Sequence, residues 1–331
     1  MNNKVPLVSI TMSTYNVETF INKSLDCIVN QTLKDVEIIC IDDGSTDSTL
    51  KILNSYALKD SRLKVIGKKK NEGLAVARNQ ALTLARGKYI AFVDGDDLMD
   101  LSLFEKAYQK AEKTSSDIVI WDYCAFYKET EIEQLKVQSS KLKQLSNDNI
   151  EKLLQLPAFT WVKLVKTSVA RALNIHFPIG LTRQDIPVHW QLLTSDLKVA
   201  LLPEKLSYYR QQPNATTYKK DARLFDIAKV LDITKAYLIK SNQYKRYQNL
   251  FLKKQLNMLF GMYDIVAKKY KLEAFQLLKN RIEEEHISYI NSNKPLRKQA
   301  RWFYKSIEGN IVGEIQFKAW EFSRAVFRLL K

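Results

Sequence analysis

The chain has 331 residues, 46% of them hydrophobic and 27% charged, which is longer than the roughly 100–200 residues of one ordinary domain. That balance excludes a disordered, collagen-like or disulfide-scaffold protein and leaves enough chain to bury a sizeable core. Its 52 Lys and Arg outnumber 36 Asp and Glu, a net charge of +16, which calls for an anionic partner without choosing among nucleic acid, a membrane surface and a phosphorylated substrate.

The first 125 residues alternate between strand and helix patterns. Val5 to Thr11 reads as a short buried strand, and Glu18 to Val29 as a helix with apolar Phe20, Ile21, Leu25 and Ile28. Val36 to Ile41 is a second strand; it ends in Asp42-Asp43-Gly44-Ser45-Thr46-Asp47, where Ser45 or Thr46 can cap a helix running to Tyr56. Leu63 to Ile66, the helix Gly73 to Leu84 and the strand Tyr89 to Val93 follow. After Asp94-Gly95-Asp96-Asp97 come a helix from about Leu101 to Lys113 and a strand at Asp117 to Trp121. Short apolar strands separated by helices imply βαβ crossovers and a mainly parallel α/β sheet, whose ligands bind outside the strand carboxyl ends. Both aspartate clusters fall at such ends.

Residues 128–147 are polar and read as an exposed insertion or mobile segment. Apolar pattern returns at Ile150–Leu156 and Trp161–Leu173, Val199–Arg210 looks like another strand, and from Ala222 onward the pattern is helical almost throughout. This last part is also where the charge lies: residues 221–331 hold 22 Lys/Arg against 11 Asp/Glu. The expected division is therefore an α/β part at 1–220, with 1–125 set off from 126–220, and a helical, basic region at 221–331.

Three cysteines, Cys27, Cys40 and Cys124, are too few and too scattered for a disulfide framework or zinc site, and suit a reducing compartment. No secretory signal precedes the first strand, and no run approaches the roughly 18 apolar residues of a membrane span. The expectation is a cytoplasmic protein that can sit peripherally on the cytoplasmic face of the inner membrane.

Three carboxylates in four residues at 94–97 repel one another unless a cation intervenes, and oxygen ligands suit Mg²⁺ or Mn²⁺, which also bind diphosphate. Gly95 would let the chain turn and a ligand approach. The alternative for the tetrapeptide is a solvated turn capping the next helix, and Asp42-Asp43-Gly44-Ser45 alone reads first as a turn and helix cap. Asp43 could accept from a nucleobase imide. Arg78 reads as a solvated helix residue or a phosphate clamp, and Lys68-Lys69-Lys70 as a solvated loop.

Taken in order, Ser9–Asn16, Gln31-Thr32, Glu37–Asp47, Asn71-Glu72-Gly73 with Ala77-Arg78-Asn79, and Gly87–Asp97 closely resemble the inverting family-2 glycosyltransferases with the GT-A fold, a Rossmann-like sheet flanked by helices. The resemblance is dense over about 5–125 and looser to about 218. It implies that Ser13 and Tyr15 line a nucleotide pocket, that Asp43 binds uracil, that Asn71 and Arg78 position the nucleotide and that Asp94 contacts it. It further implies that Asp96 holds the metal, Mn²⁺ or Mg²⁺, with Asp97 in support. The family usually has Pro at the Ser13 position and Ser at 95. Its catalytic base lies in a Glu-Asp pair between a Trp-x-Lys-Leu segment and a Tyr-Arg strand. Here those are Trp161-Val162-Lys163-Leu164, Gln184-Asp185 and Tyr209-Arg210 followed by Asn214 and Thr216, so the resemblance makes Asp185 the base and places Trp161, Lys163 and Arg210 on the acceptor side. Gln184 in place of Glu removes a negative neighbour that could raise the base's pKa.

The implied reaction moves a sugar from a UDP-sugar donor to a hydroxyl of a bacterial surface glycan or lipid-linked glycan, with inversion. A sugar-1-phosphate nucleotidyltransferase would show a Gly-rich signature with Arg and Lys after the first strand, which Met12-Ser13-Thr14-Tyr15-Asn16 is not. A catalytically silent nucleotide-binding or membrane scaffold is the other alternative. In the basic tail, Trp320, Ser323, Phe327 and Leu330 share one helix side while Lys318, Arg324, Arg328 and Lys331 spread around the other. That suits an interfacial helix on the inner-membrane surface or packing on protein, including another subunit of a homo-oligomer. No nucleic-acid motif accompanies the charge.

Overall fold

Eight strands hydrogen-bond into one sheet in the order β3-β2-β1-β4-β7-β6-β8-β5. In the computed structural model, which describes residues 5–212, 219–292 and 294–329 with side chains through 324, these are β1 (Val8–Thr14), β2 (Val36–Asp42), β3 (Leu63–Gly67), β4 (Tyr89–Asp94), β5 (Leu98–Met99), β6 (Ile118–Phe126), β7 (Lys163–Lys166) and β8 (Val199–Arg210). The pairings among β1 to β4 and between β6 and β8 are parallel; those of β7 with β4 and β6, and of β5 with β8, are antiparallel. Every residue of β1 and β2 is buried, which is why these strands read as continuous apolar runs rather than alternating ones. The result is a mixed α/β sheet flanked by helices and followed by a helical C-terminal region.

The crossovers are α1 (Ile21–Val29), α2 (Thr49–Ala57) and α3 (Leu74–Leu84), with α4 (Leu103–Thr114) following β5. In α1 the buried Ile21, Leu25 and Ile28 sit at the spacing of one helical face, and each fully buried side chain of this size contributes about 1.5–3 kcal/mol. Parallel register does the positioning: Ser13 lies beside Ile41 and Asp94, and Thr14 beside Asp42. Both aspartate clusters therefore leave the sheet at one edge, side by side.

Two expectations are corrected here. Helix α2 begins at Thr49, because Ser45 is consumed by Asp42 (Oγ to Oδ1 2.5 Å, N to Oδ2 3.0 Å) and Asp47 Oδ1 takes the Thr49 N–H at 2.9 Å instead. Residues 128–147 are not a loose insertion. They form a 3₁₀ turn at Glu129–Glu131, α5 (Ile132–Lys136) and a second 3₁₀ turn at Lys141–Gln144. Ile132 and Leu142 are buried, and Ser140 Oγ donates to Asp122 on β6 at 2.7 Å. Three short helices follow: α6 (Ile150–Gln155), α7 (Thr167–Ala172) and α8 (Asp185–Leu193).

The chain divides into two compact units at 218/219. The second holds α9 (Asp226–Lys240), α10 (Tyr244–Ile265), α11 (Lys271–Lys279), α12 (Glu284–Asn291), α13 (Lys298–Ile307) and α14 (Ile311–Leu329). Its core is aromatic. Phe260 of α10 meets Phe303 at 5.5 Å and Trp320 at 5.9 Å, and Phe317 meets Phe303 at 5.2 Å. Of the two readings left open for the Trp320 side of α14, a membrane face or packing on protein, Trp320 takes the second and is turned towards the unit's own interior; exposed along the helix are Ile311, Ile315 and Phe322. Asn214, Thr216, Leu330 and Lys331, and the side chains of Phe327 and Arg328, lie outside the described residues. Among those described, no helix is long and apolar enough to cross a membrane.

Candidate functional site

At the end of β2 the two neighbouring aspartates have different partners. Asp42 closes its own turn, whereas Asp43, also buried, accepts from Lys68 Nζ (3.0 Å), Glu72 N (3.1 Å) and Gly73 N (2.7 Å). Asp43 thereby ties the 68–73 loop to the β2 end. The two loops meet so closely at Gly44 (φ +75°) that a Cβ there would lie 2.4 Å from the Lys70 carbonyl carbon. Lys68 is consequently not a solvated lysine; its side chain is 9% exposed. Ser13 is buried at the strand end, while Tyr15 and Asn71 are exposed at the rim.

Asp94 ends β4, and Asp96 and Asp97 occupy the turn into β5. Burial first, then the charge of Asp94, pushes the Asp96 carboxyl up to about 6. Burial, then Asp96 and Asp94, holds Asp97 well above the usual carboxylate range. Burial and neighbouring carboxylates thus oppose the charges of Asp96 and Asp97, and oxygen donors in that position suit a hard divalent cation. Gly95 makes room for protein rather than ligand: a Cβ at this position would lie 2.7 Å from Thr14 Cγ2 and 3.3 Å from Val17 Cγ2. Ser in its place would require Thr14 to move.

Arg210, at the end of β8, belongs to this turn. Its backbone N–H donates to Asp97 Oδ1 (2.8 Å) and its Nε to the Asp96 carbonyl (2.8 Å). The guanidinium lies 4.8 Å from both the Phe20 and Phe126 rings and pairs with Glu129 at 3.1 Å. Gln212 Nε2 donates to Asp96 Oδ2 at 2.9 Å. Asp97 is thus engaged by backbone, which leaves Asp94 and Asp96 as the more open oxygen donors.

Asp185 opens α8, after Arg183 turns the chain through the left-handed region (φ +56°). Its Oδ1 accepts from Arg78 NH1 at 2.7 Å and, at short range, from Thr160 Oγ1. Among the described residues no hydrogen bond reaches Oδ2. Arg78 NH2 simultaneously donates to Asp94 Oδ1 at 2.9 Å. The Arg78 side chain is 2% exposed, against 27% for Asp94 and 21% for Asp185. Burial opposes its charge, but Asp185 and Asp94 outweigh that and hold its pKa above the ordinary guanidinium value. Phe177 lies under the guanidinium at 5.5 Å, and Asn79 clasps the Phe177 backbone through its own amide (2.8 and 2.9 Å). Arg78 is neither solvated nor open to a phosphate; it joins the β4 carboxylate to the α8 carboxylate.

Beyond Asp185 is an aromatic platform. Trp161 stacks on Phe159 (4.7 Å, 15°), with Tyr123 edge-on to both and Tyr209 tilted against both. Lys163 is 2% exposed, its Nζ donating to the Phe159 carbonyl, and burial pushes its pKa down to about 8. The sites expected from sequence therefore gather into one edge of the sheet, with Arg210 displaced from the acceptor side to the aspartate turn. Thr160, Phe159, Gln212 and Lys68 were missed; only the position of Thr160 and Phe159 beside Trp161 could have signalled them.

The profile of Glycosyl transferase family 2 matches residues 9–170. The chain is 33% identical over 225 residues to the uncharacterized glycosyltransferase EpsJ of Bacillus subtilis (strain 168), covering 64% of this chain and 63% of that protein, less than two thirds of its length. It is 32% identical over 218 residues to an uncharacterized glycosyltransferase of Haemophilus influenzae, covering 64% of this chain and 68% of that one. Among solved structures, S. aureus TarS 1-349 in complex with UDP-GlcNAc superposes with a TM-score of 0.71 at 18% identity, over 96% of this chain and 92% of that one. At that identity the likeness shows the fold.

The Asp96 geometry predicts a pH-dependent stability effect. A carboxyl whose folded pKa is raised destabilises the fold when ionised; the cost is absent below about 3.8 and complete above about 6. In metal-free buffer at pH 7.5, Asp96→Asn should raise the Tm, and the gain should vanish near pH 4. Mn²⁺ should raise the Tm of the unaltered protein and not of the variant. A metal-induced rise that persists in Asp96→Asn would remove Asp96 from the metal site.

Proposed function

The chain belongs to glycosyl transferase family 2, and from that premise we propose that it transfers a sugar from a UDP-sugar to a hydroxyl of a glycan or lipid-linked glycan with inversion of configuration. The observation that carries this reading is Asp185: one carboxylate oxygen is held by Arg78 and Thr160, and the other accepts no hydrogen bond among the described residues. The held oxygen sets the orientation. The second takes the proton of the acceptor hydroxyl as that oxygen attacks the anomeric carbon and the bond to the diphosphate breaks on the opposite face.

Ser13, Tyr15, Asn71 and Asp43 surround the nucleotide in this reading. Asp43 already accepts three hydrogen bonds, and a carboxylate has about four acceptor positions, so one remains for a uracil imide. That the S. aureus neighbour is described with UDP-GlcNAc supports UDP as the nucleotide. Asp94 and Asp96 would hold Mn²⁺ or Mg²⁺, with Asp97 and Arg210 fixing the turn beneath them. Bound there, the ion supplies positive charge to the leaving diphosphate. Arg78 positions Asp94 and Asp185 rather than clamping phosphate. Tyr123, Phe159 and Tyr209, half-buried around the buried Trp161, would offer apolar surface on the acceptor side.

We further infer that the second unit can rest on an anionic membrane surface. Ile311, Ile315 and Phe322 are exposed at i, i+4 and i+11 along α14, a single stripe, on the region carrying most of the excess positive charge.

A UDP-release assay over a panel of UDP-sugars, with and without acceptor glycans, tests the reaction. Asp185→Asn should lower turnover about 10²–10⁴-fold, the usual worth of a general base, and leave UDP binding intact. Thr160→Val should cost roughly 10-fold, in line with one hydrogen bond to a charged group. Full turnover in Asp185→Asn would end the base assignment, and UDP binding without cleavage of any UDP-sugar would favour a silent scaffold. For the surface, Ile315→Glu with Phe322→Glu should reduce co-sedimentation with phosphatidylglycerol vesicles; undiminished binding would exclude the stripe as the contact.

A further inference from the structure

Against β6 lies a cavity of about 390 Å³, roofed by the 135–142 segment and floored by the chain around Phe159 and Lys163. Its position follows from two elements. His189, on its wall, is one helical turn beyond Asp185 on α8, so the two share a helix face. Phe159 and Lys163 bracket Thr160, the donor to Asp185. The Lys163 ammonium is also close enough for the Asp185 charge to act on it. The cavity wall thus shares a helix with Asp185 and a chain segment with its donor Thr160.

The wall is unevenly charged. Lys141, Lys163 and Lys205 line it, and Asp122 is its one carboxylate. The Asp122 oxygens are engaged within the protein by Tyr123 N (2.9 Å), Ser140 Oγ (2.7 Å) and Lys141 N (3.1 Å). Among the described residues Lys205 Nζ reaches neutral acceptors, the Leu135 carbonyl (3.1 Å) and Gln138 Oε1 (3.3 Å). Lys163 is nine-tenths buried and more, with a carbonyl as its hydrogen-bond acceptor. A buried ammonium that meets a neutral carbonyl rather than a carboxylate is poorly compensated, and an anion entering the cavity would relieve it. Leu142, Leu156 and Pro157 add apolar walls suited to a carbon skeleton.

We propose that this cavity binds an oxyanion of the acceptor, a phosphate or carboxylate carried by the saccharide or polyol whose hydroxyl Asp185 deprotonates. The enzyme is then selective for acidic acceptors. This rests on the glycosyltransferase reading above, with Asp185 as base.

The test is equilibrium binding to the full chain by ligand-observed NMR, with glycerol 3-phosphate, glucuronate and glucose as probes. Either or both anions should bind at least roughly 10-fold tighter than glucose, the weight of one charge-assisted hydrogen bond, and the ratio between them identifies phosphate or carboxylate as the preferred group. Lys163→Met should abolish the preference. Lys141→Glu, at an exposed position where folding is not at stake, should weaken it about 5- to 10-fold, one added like charge near the ligand. Equal binding of all three probes, or a preference unchanged in both variants, overturns the proposal. UDP release from UDP-sugar in the absence of acceptor, measured on the unaltered chain, reads the donor reaction separately. Anion preference without any UDP release would sink the glycosyltransferase reading and leave the cavity assignment; UDP release without anion preference would do the reverse.

Discussion

A guanidinium with 2% of its surface exposed, held between two carboxylates, is the interaction on which the rest of the site depends. Arg78 sits on α3, Asp94 at the end of β4 and Asp185 at the start of α8, and the two ion pairs are 2.9 and 2.7 Å long. A charge buried this deeply persists only when fully compensated. The bridge therefore constrains three elements at once, and Phe177, clasped by Asn79 and itself packed on Phe92 at 5.3 Å, closes the remaining side. In the proposed reaction the bridge would join two halves: the end that binds the donor and the carboxylate that serves the acceptor.

The aspartate turn depends on a second cation with a different task. Arg210 holds the Asp96 carbonyl and the Asp97 carboxylate from the end of β8, between two phenyl rings and Glu129, which in turn meets Lys23 at 2.6 Å. Neither arginine is placed to neutralise a ligand. Both hold acidic groups in crowded positions that a divalent ion and a diphosphate would complete. Positive charge around the β6 cavity comes instead from Lys163, Lys141 and Lys205.

Much of the sheet and the identity of the acidic groups were legible from the sequence. Buried parallel strands carry unbroken apolar runs, and aspartates at their carboxyl ends mark a ligand edge. What was not legible are relations between distant residues. Arg78 on a helix reads as solvated until its partner 107 residues downstream is placed beside it. Gly95 reads as room for a ligand until the Thr14 methyl is found there. Lys68 in a run of three lysines shows nothing of its buried pairing with Asp43. Ile132 and Leu142 are too sparse in a polar stretch to announce helices packed on the sheet. In α14 periodicity allows more than one apolar stripe; the aromatic core built by Phe260 and Phe303 claims Trp320 and leaves Ile311, Ile315 and Phe322 outside.

The most direct measurement of the Arg78 bridge is a double-mutant cycle on kcat with Arg78→Lys and Asp185→Asn. Lysine keeps the charge and loses the fork that reaches both carboxylates. The single Arg78→Lys change should lower kcat roughly 10- to 100-fold, the worth of a hydrogen bond to a charged group, and the double variant should lose clearly less than the product of the two single losses, because part of the effect of Arg78 runs through Asp185 and the rest through Asp94. Losses that multiply independently would contradict the account.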